Sequence, residues 1–217
     1  PIQYIIGRTT FFGLEFLVNE DVFIPRPETE VLVEAVIDIA ERRAPGVGRS
    51  RMLDLCTGSG NIAIALTKNI TDCKIVASDI SEEALVIAKK NASLNGVFDK
   101  IDFIRSDLFE NIEGEFDYLV SNPPYVAGYE FETLQKEVLA EPRIAIDGGP
   151  DGLDFYRRIA EAAQRFLRNG GYLIMEIGFG QSHPIKEIIE DTKVFNIAET
   201  RIDRNGVERV MAARWIS

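Results

Sequence analysis

Four consecutive residues, Asn122, Pro123, Pro124 and Tyr125, directly follow an apolar run at 116–121 and carry the clearest chemical signal in the chain. Neither proline has an N–H and both have a fixed φ, so this loop is stiff and offers carbonyl acceptors rather than donors. Asn122 adds a side-chain carbonyl. A planar NH2 group, whether of a carboxamide or of a base, is held in its plane by two such acceptors. The four residues therefore predict a clamp for an NH2 group, and the structural alternative is a capped Pro-Pro turn.

A second motif, at 54–60, combines an acidic residue with closely spaced glycines and precedes an apolar run at 62–66. This order is typical of a strand, a glycine turn and a helix, and glycine lets the backbone approach a ligand. A further apolar run at 74–78 ends at Asp79, about twenty residues on, where an acidic side chain can accept hydrogen bonds from ribose hydroxyls. The motif predicts a nucleoside cofactor. It does not separate a dinucleotide from S-adenosylmethionine, because residues 58–63 also fit the G-x-G-x-x-A fingerprint.

Composition points to one folded unit. With 217 residues and 46% hydrophobic content, we expect one buried core, or a core with a small appendage. No apolar run approaches the roughly twenty residues of a membrane span and no signal-peptide pattern begins the chain, so we expect a cytoplasmic protein with no membrane contact. The net charge of -11 is opposite to that of most nucleic-acid binders, so direct nucleic-acid binding is not expected. Two cysteines and one histidine favour neither a disulfide nor a metal site.

Strand and helix patterns alternate along most of the chain. Alternating residues at 4–6 and 11–18, around two glycines, predict a short amino-terminal hairpin. Helical spacing from Pro27 onward predicts a helix that stops at 44–46. The remaining patterns predict, in order, strand 51–55, helix 60–68, strand 74–78, helix 82–94, strands 101–104 and 116–121, an amphipathic segment at 155–167, strand 171–176, helix 184–190, and strands near 193–198 and 207–216.

The alternation of strands and helices predicts a mainly parallel sheet, and the last two strands, with no helix between them, predict an antiparallel pair at its edge. In a doubly wound sheet, ligands bind at the carboxyl ends of strands where the winding direction reverses. Here that point lies between the first strand, which the glycine loop leaves, and the fourth, which Asn122 follows. Because neighbouring strands lie about 4.8 Å apart, a cofactor on one loop can present a reactive group to something held by the other. The sequence therefore predicts a two-substrate transfer site.

These motifs resemble those of the class I S-adenosylmethionine-dependent N5-glutamine methyltransferases that modify peptide chain release factors. The resemblance covers essentially the whole chain and is carried by residues 3–7, 12–13, 24–30, 54–60, 106–109, 121–125, 141–142, 147–153 and 176–178. It implies an α/β fold with a doubly wound, mainly parallel seven-stranded sheet, in the order 3-2-1-4-5-7-6, and an amino-terminal β-hairpin. It also implies S-adenosylmethionine as the methyl donor, S-adenosylhomocysteine as the product, and the glutamine of a Gly-Gly-Gln loop in release factors as the acceptor.

The resemblance also implies roles for individual residues. Asn122 and the Pro123 carbonyl would hold the substrate amide, and Tyr125 would wall its side chain, which makes these three the expected catalytic residues. Pro124 joins them in the expected substrate site. The expected cofactor site consists of Asp54, Cys56, Thr57, Gly58, Ser59, Gly60, Asp79, Ile80, Asp107, Leu108 and Asn122. Weaker candidates are residues 26–29, near the cofactor's amino-acid end, and Glu176, for which a supporting role is favoured over catalysis.

Two features depart from the family pattern. Position 56 is Cys where the family commonly has Gly, and we expect a mild effect because a small side chain still fits. Family members usually carry a helical amino-terminal domain that helps to hold the release factor. We therefore expect residues 1–26 to be a hairpin lead-in, a remnant of the connection to that domain, and residues 27–217 to be the catalytic domain.

Other functions remain open from the residues alone. A glutamine methyltransferase of a ribosomal protein would share the Asn-Pro-Pro-Tyr clamp. A nucleic-acid methyltransferase acting on adenine N6 or cytosine N4 would present the same NH2 geometry, although the acidic charge disfavours it. A dinucleotide-dependent oxidoreductase or a simple nucleotide-binding module would use the same glycine loop.

Overall fold

The computed structural model of the protein describes residues 1–42 and 49–216. The predicted helix stop at 44–46 lies outside the described residues. The strands are β1 (Arg8–Phe11), β2 (Leu14–Leu17), β3 (Ser50–Leu55), β4 (Cys73–Asp79), β5 (Ile101–Arg105), β6 (Phe116–Ser121), β7 (Leu167–Glu176), β8 (Phe195–Ile202) and β9 (Glu208–Trp215). The helices are α1 (Ile2–Ile6), α2 (Glu30–Glu41), α3 (Asn61–Asn69), α4 (Glu82–Leu94), α5 (Lys136–Leu139), α6 (Arg143–Ile146), α7 (Asp154–Ala163) and α8 (Ser182–Asp191).

Seven of these strands form one sheet in the order β5-β4-β3-β6-β7-β9-β8. Strands β3 to β7 pair in parallel, and β9 runs antiparallel to both of its neighbours, β7 and β8. Counted from β3, this is the predicted order 3-2-1-4-5-7-6, so the predicted fold class and the antiparallel edge pair are confirmed. The winding direction reverses between β3 and β6, which are neighbours in the sheet. This reversal leaves room for a ligand at the carboxyl ends of the two strands.

The hydrophobic core lies on both faces of the sheet, because successive side chains of a strand point in opposite directions. On β3, Met52 belongs to a buried cluster with residues of α2 and α3. Its neighbour Leu53 belongs to a second cluster with residues of α7 and α8. Every residue of β6 is buried, as expected for a central strand that is covered on both faces. The two central strands are therefore the most rigid support that the fold offers to loops at their ends.

The amino-terminal lead-in corrects one prediction. Residues 4–6 belong to helix α1 and not to a strand, because Gly7 takes a left-handed φ of 75° and its N–H caps the Gln3 carbonyl at 2.7 Å. The alternating pattern was too short to distinguish these two structures. The hairpin that follows is confirmed: β1 and β2 pair antiparallel across a turn at Phe12 and Gly13, whose φ angles are 50° and 72°.

The hairpin is joined to the glycine loop by a buried asparagine of α4. The Asn91 side chain is fully buried; its Oδ1 accepts from Leu17 N at 2.7 Å and its Nδ2 donates to Leu17 O at 3.0 Å. The same Nδ2 donates to Ser59 O at 2.9 Å. One carboxamide therefore links strand β2 to the glycine loop, and Phe11 and Phe16 of the hairpin are part of the same cluster as α2 and α3.

Two further segments differ from the sequence-based prediction. The amphipathic segment at 155–167 is helical only to Ala163, and Leu167 already begins strand β7, which is longer than predicted. Residues 126–153, for which no element was predicted, contain the short helices α5 and α6 and a bridge between Val126 and Asp147. Four-residue helices give too little periodicity to be recognised in a sequence. Among the described residues, no helix has the length and apolar character needed to cross a bilayer.

Replacing Asn91 by Ala is expected to lower the free energy of unfolding by about 3 kcal/mol, because it leaves one buried N–H and two carbonyl oxygens without their partner. Urea denaturation followed by circular dichroism measures this change. Asn95→Ala is the matched control: Asn95 also donates to a backbone carbonyl of β2, that of Glu15 at 3.0 Å, but at an exposed position. We expect the control to lose less than about 1 kcal/mol, and equal losses would contradict the link assigned to Asn91.

Candidate functional site

The two chemical motifs meet at the carboxyl ends of β3 and β6. Leu55, the last residue of β3, is paired with Ser121, the last residue of β6. The Ser121 hydroxyl also donates to the Leu55 carbonyl oxygen at 2.9 Å. The glycine loop and the Asn-Pro-Pro-Tyr loop therefore leave the sheet from directly adjacent positions, as predicted.

A buried carboxyl group, that of Asp54, binds the two ends of the glycine loop. Asp54 Oδ2 accepts from the Thr57 hydroxyl at 2.6 Å and from Ala63 N at 3.2 Å, while Asp54 Oδ1 has no hydrogen-bond partner among the described residues. Burial raises the pKa of Asp54 to about 7, even though the hydrogen bonds from Thr57 and Ala63 lower it. Asp54 therefore shapes the turn into α3 from beneath the loop.

Cys56 occupies a backbone conformation that favours glycine. Its φ is 59°, in the left-handed region, and Gly58 and Gly60 follow with φ of 54° and 82°. A side chain at such a φ costs roughly 1 kcal/mol or more, because Cβ approaches the following carbonyl oxygen. The backbone conformation explains why the family commonly has glycine at this position, whereas the size of the side chain alone does not explain it. Burial and the nearby carboxylates of Asp79 and Asp54 raise the pKa of the Cys56 thiol, which therefore stays protonated.

Asp79, at the end of β4, forms a bridge between two loops. Its Oδ2 accepts from Gly58 N at 2.8 Å and its Oδ1 accepts from Ser81 N at 3.0 Å. Burial raises the pKa of Asp79, and these backbone N–H groups partly offset that effect. The carboxylate is therefore fixed in orientation at the edge of the glycine loop, with lone pairs left for a ligand.

The third wall follows β5. Ser106 N donates to the Asp79 carbonyl at 2.9 Å, and the Ser106 hydroxyl donates to the Leu108 carbonyl at 2.8 Å. Leu108 has a left-handed φ of 47° in the turn so formed. Asp107 pairs with Arg158 Nη2 of α7 at 2.7 Å, and both side chains are partly exposed. An apolar side chain and a carboxylate are thereby presented next to Asp79.

The Asn-Pro-Pro-Tyr loop is packed tightly against glycine backbone. A Cβ on Gly148 would lie 2.8 Å from the Tyr125 backbone, and one on Gly152 would overlap the Tyr125 carbonyl oxygen. Gln181 Nε2 donates to that same oxygen at 2.9 Å. The glycines at 148 and 152 therefore allow close packing that holds the loop.

Glu176, at the end of β7, forms a buried polar cluster with the clamp. Asn122 Nδ2 donates to the Thr29 hydroxyl oxygen at 3.3 Å, and hydrogen bonds from Thr29 and Asn122 lower the pKa of Glu176. Burial has the larger effect and raises that pKa to about 7. Glu176 is 2% exposed, and its Oε2 has no partner among the described residues. In the sequence, Glu176 is recognisable only as an acidic residue at the end of an apolar strand. That signal is too weak to place Glu176 beside Asn122.

These loops enclose a pocket of about 380 Å³. Twelve of the predicted site residues line it: Cys56, Thr57, Gly58, Ser59, Asp79, Ile80, Asp107, Leu108, Asn122, Pro123, Pro124 and Tyr125. Asp54 and Gly60 lie outside the lining; a Cβ on Gly60 would meet Ala88 at 3.1 Å, so Gly60 serves the packing of α3 on α4. Of the weaker candidates, Arg26 and Thr29 reach the pocket. The structure therefore brings the two predicted half-sites into one space.

Sequence reasoning missed the wall formed by residues 134–146, from which Leu134, Val138 and Ile144 reach the pocket. This wall is anchored by Glu141, whose side chain is fully buried and which accepts from Ile24 N at 2.9 Å and pairs with Arg26. The helices of this wall, α5 and α6, have four residues each, which is too short for a recognisable sequence periodicity. Among residues 1–42 and 49–216, no cluster of three or more His, Cys, Asp or Glu side chains is suited to a metal.

Comparison with known proteins agrees with this geometry. The family model of the methyltransferase small domain matches residues 29–149. The release factor glutamine methyltransferase of Geobacter sulfurreducens is 42% identical over 216 residues, which is 99% of this chain and 73% of that protein.

Among solved structures, the release factor-specific protein-(glutamine-N5) methyltransferase of Alicyclobacillus acidocaldarius is 25% identical, with a TM-score of 0.55 over 93% of this chain and 100% of that chain. A methyltransferase of Pyrococcus furiosus is 17% identical and has a TM-score of 0.70 over 95% of this chain and 91% of that one, which shows a shared fold. With sequence similarity over almost its whole length, and with its glycine loop and Asn-Pro-Pro-Tyr loop converging on one pocket, the chain belongs to the release factor glutamine methyltransferase family of class I methyltransferases.

Proposed function

We propose that the protein transfers a methyl group from S-adenosylmethionine to the side-chain amide nitrogen of the glutamine in the Gly-Gly-Gln loop of peptide chain release factors. The observation that carries this proposal is that Leu55 and Ser121 are paired, so the glycine loop and the Asn-Pro-Pro-Tyr loop open into one pocket. A pocket of about 380 Å³ is in the range of small-molecule sites. Membership of the family supports the same donor and acceptor.

The residues on the glycine-loop side fit S-adenosylmethionine. The Asp79 carboxylate is suited to ribose hydroxyls, Asp107 and Leu108 to the edge and face of the adenine, and residues 56–60 to the methionine moiety. A Cβ on Gly58 would meet no atom within 4 Å, so the backbone there is open to a ligand. When bound, the cofactor supplies a methyl group on a positively charged sulfur, the electrophile of the reaction. Nearby carboxylates suit that positive charge.

The clamp side suits a carboxamide. An amide nitrogen is a poor nucleophile because its lone pair is delocalised into the carbonyl, so the site must fix the amide plane and stabilise charge that grows on the NH2 group. Asn122 Oδ1 and the Pro123 carbonyl are the acceptors for those two N–H groups. Burial raises the pKa of the Tyr125 hydroxyl, so Tyr125 stays neutral and acts as a wall. No strong base is needed before attack, because the proton becomes acidic as the new bond forms.

Residues 1–26 serve as the lead-in to the catalytic domain at 27–217. The hairpin is anchored through Asn91 to the glycine loop, and the extended residues after it are anchored through Glu141 to the pocket wall. The lead-in thus supports both halves of the site. Ile144, which lines the pocket, is about half exposed, which suits contact with a protein substrate.

The direct test incubates the chain with methyl-labelled S-adenosylmethionine and purified release factors, then locates the added methyl by mass spectrometry. A mass increase of one methyl on the Gly-Gly-Gln glutamine is expected. A release factor with that glutamine changed to alanine is the control and should take up no label. Label on a ribosomal protein or on nucleic acid, with none on the release factor, would overturn the proposal.

Replacing Asp79 by Asn is expected to weaken S-adenosylhomocysteine binding by roughly 10- to 100-fold, because hydrogen bonds to a charged acceptor contribute about 1.5–3 kcal/mol. Isothermal titration calorimetry measures the change. Asp102→Asn is the control, since Asp102 lies on the adjacent strand β5 and forms an exposed pair with Lys74 outside the pocket. Unchanged affinity in Asp79→Asn would refute the assigned ribose contact.

Replacing Asn122 by Ala is expected to reduce turnover by roughly 100-fold or more while leaving S-adenosylhomocysteine affinity within about threefold, because one preorganised acceptor of the transition state is lost. Steady-state methylation of a release factor, together with calorimetry, separates the two effects. Asn196→Ala, on the exposed edge strand β8, should behave like the unmodified protein. If turnover survives in Asn122→Ala, the clamp is not what holds the amide.

A further inference from the structure

The orientation of the Asn122 carboxamide is the least determined feature of the clamp. Only its Oδ1 can accept from a substrate NH2 group; rotated by half a turn, the same side chain would present its own NH2 to the substrate and repel it. Pro123 and Pro124 fix the backbone of the loop but not this side-chain rotation. Something else must choose between the two orientations.

A chain of buried polar groups behind Asn122 can make that choice. Strand pairing places Ser121 opposite Met175, so the next residues, Asn122 and Glu176, leave the sheet side by side. Asn122 Nδ2 donates to the Thr29 hydroxyl oxygen at 3.3 Å, and Thr29 and Glu176 are 1% and 2% exposed. Thr29 lines the pocket with Asn122, whereas Glu176 lies behind them.

We propose that Glu176 is the positioning residue of the clamp: as a hydrogen-bond acceptor behind Thr29 and Asn122, it holds the Asn122 NH2 group away from the pocket and thereby turns the Asn122 Oδ1 toward the substrate amide. A carboxylate only accepts hydrogen bonds, so the Thr29 hydroxyl and the Asn122 NH2 group both donate to Glu176, and the Thr29 oxygen is left to accept from Asn122 Nδ2. The Asn122 side chain must then present its NH2 group to Thr29. This inference rests on the proposed function of the same pocket.

The direction of the chain depends on the ionisation of Glu176. The protonated acid could donate its O–H, which removes the constraint on Thr29 and Asn122. Burial raises the pKa of Glu176 to about 7, against the hydrogen bonds from Thr29 and Asn122 and the charge of Arg209, while the charge of Glu28 raises this pKa further. The neutral hydroxyls of Tyr125 and Tyr156 also lie close to Glu176. Glu176 is therefore ionised above about pH 7 and protonated below it, so turnover should fall as the pH is lowered through 7.

The sign of the stability effect is opposite. Because the folded-state pKa lies above the ordinary value of a glutamic acid, the associated stability is fully present at low pH and is lost as the pH rises through about 7. Glu176→Gln removes this loss, so at pH 8 the variant should unfold at the same temperature as the unmodified protein or higher. An unfolding temperature at or above that of the unmodified protein shows that reduced turnover in this variant does not come from a weaker fold.

The test measures kcat and KM for a release factor in Glu176→Gln, Thr29→Val and Thr29→Ser. Glu176→Gln and Thr29→Val should each lower kcat about 10-fold at pH 8, with KM and S-adenosylhomocysteine affinity within about threefold. Thr29→Ser, which keeps the hydroxyl, should retain most of the turnover. Added to Asn122→Ala, Glu176→Gln should cause no further loss, because it acts through Asn122. Multiplicative losses in that double variant, or equal losses in Thr29→Ser and Thr29→Val, would overturn the proposal.

The pH profile separates Glu176 from Asp54, whose pKa is also raised to about 7. The fall in kcat below pH 7 should disappear in Glu176→Gln. If the fall persists in that variant, it belongs to Asp54 or another group, and the proposal is overturned.

A readout without turnover is hydrogen exchange of the Asn122 side-chain NH2 in NMR spectra, assigned by the signals missing in Asn122→Ala. Slow exchange at pH 8 that becomes fast in Glu176→Gln supports the proposal, and unchanged exchange overturns it. If the unmodified protein methylates no release factor, the proposed function is refuted. The exchange data still test the orientation of the Asn122 side chain in that case.

Discussion

The parallel pairing of β3 with β6 is the constraint on which the rest of the site depends. It places Leu55 beside Ser121, and the hydroxyl of Ser121 fixes the two strand ends to each other at 2.9 Å. A loop that leaves one strand then faces a loop that leaves the other across about one strand spacing. Because both strands are buried, neither can shift without disrupting both faces of the core, so the two loops start from fixed positions.

Buried polar side chains at strand and helix ends transmit that rigidity to the loops. Asp54 lies one residue before the end of β3, Asp79 and Glu176 end β4 and β7, and Asn91 of α4 joins the glycine loop to the hairpin. Each would be costly if it were buried alone, and each is instead engaged with backbone N–H groups, carbonyls or hydroxyls of a loop. The polar groups specify loop positions that apolar packing cannot specify, since apolar contacts have no direction.

The sequence predicted the features that local pattern controls. The glycine loop, the strand at 116–121 and the antiparallel end of the sheet follow from periodicity and turn chemistry, and twelve predicted residues do line one pocket. Helix α1 was missed because three alternating residues do not distinguish a strand from a helix, and the glycine that caps this helix, Gly7, follows those residues. The contact between Glu176 and Asn122 joins segments that are far apart in the sequence. Such contacts leave no periodic trace in the chain.

The chemistry of the pocket also bears on why an amide and not an acid is its substrate. On the clamp side the groups that face the pocket are acceptors, namely the Asn122 Oδ1 of the proposed orientation and the carbonyl of Pro123, which has no N–H of its own. A glutamine side chain brings two N–H donors to them. A glutamate side chain brings none, and its charge would meet Glu176 behind the clamp and Asp79 and Asp107 across the pocket. An unpaired buried acceptor and like charges both disfavour that ligand by several kcal/mol, roughly the scale on which a polar site rejects a substrate that lacks its hydrogen-bonding group. The acidic groups that suit a cationic methyl donor thus also exclude the carboxylate analogue of its acceptor.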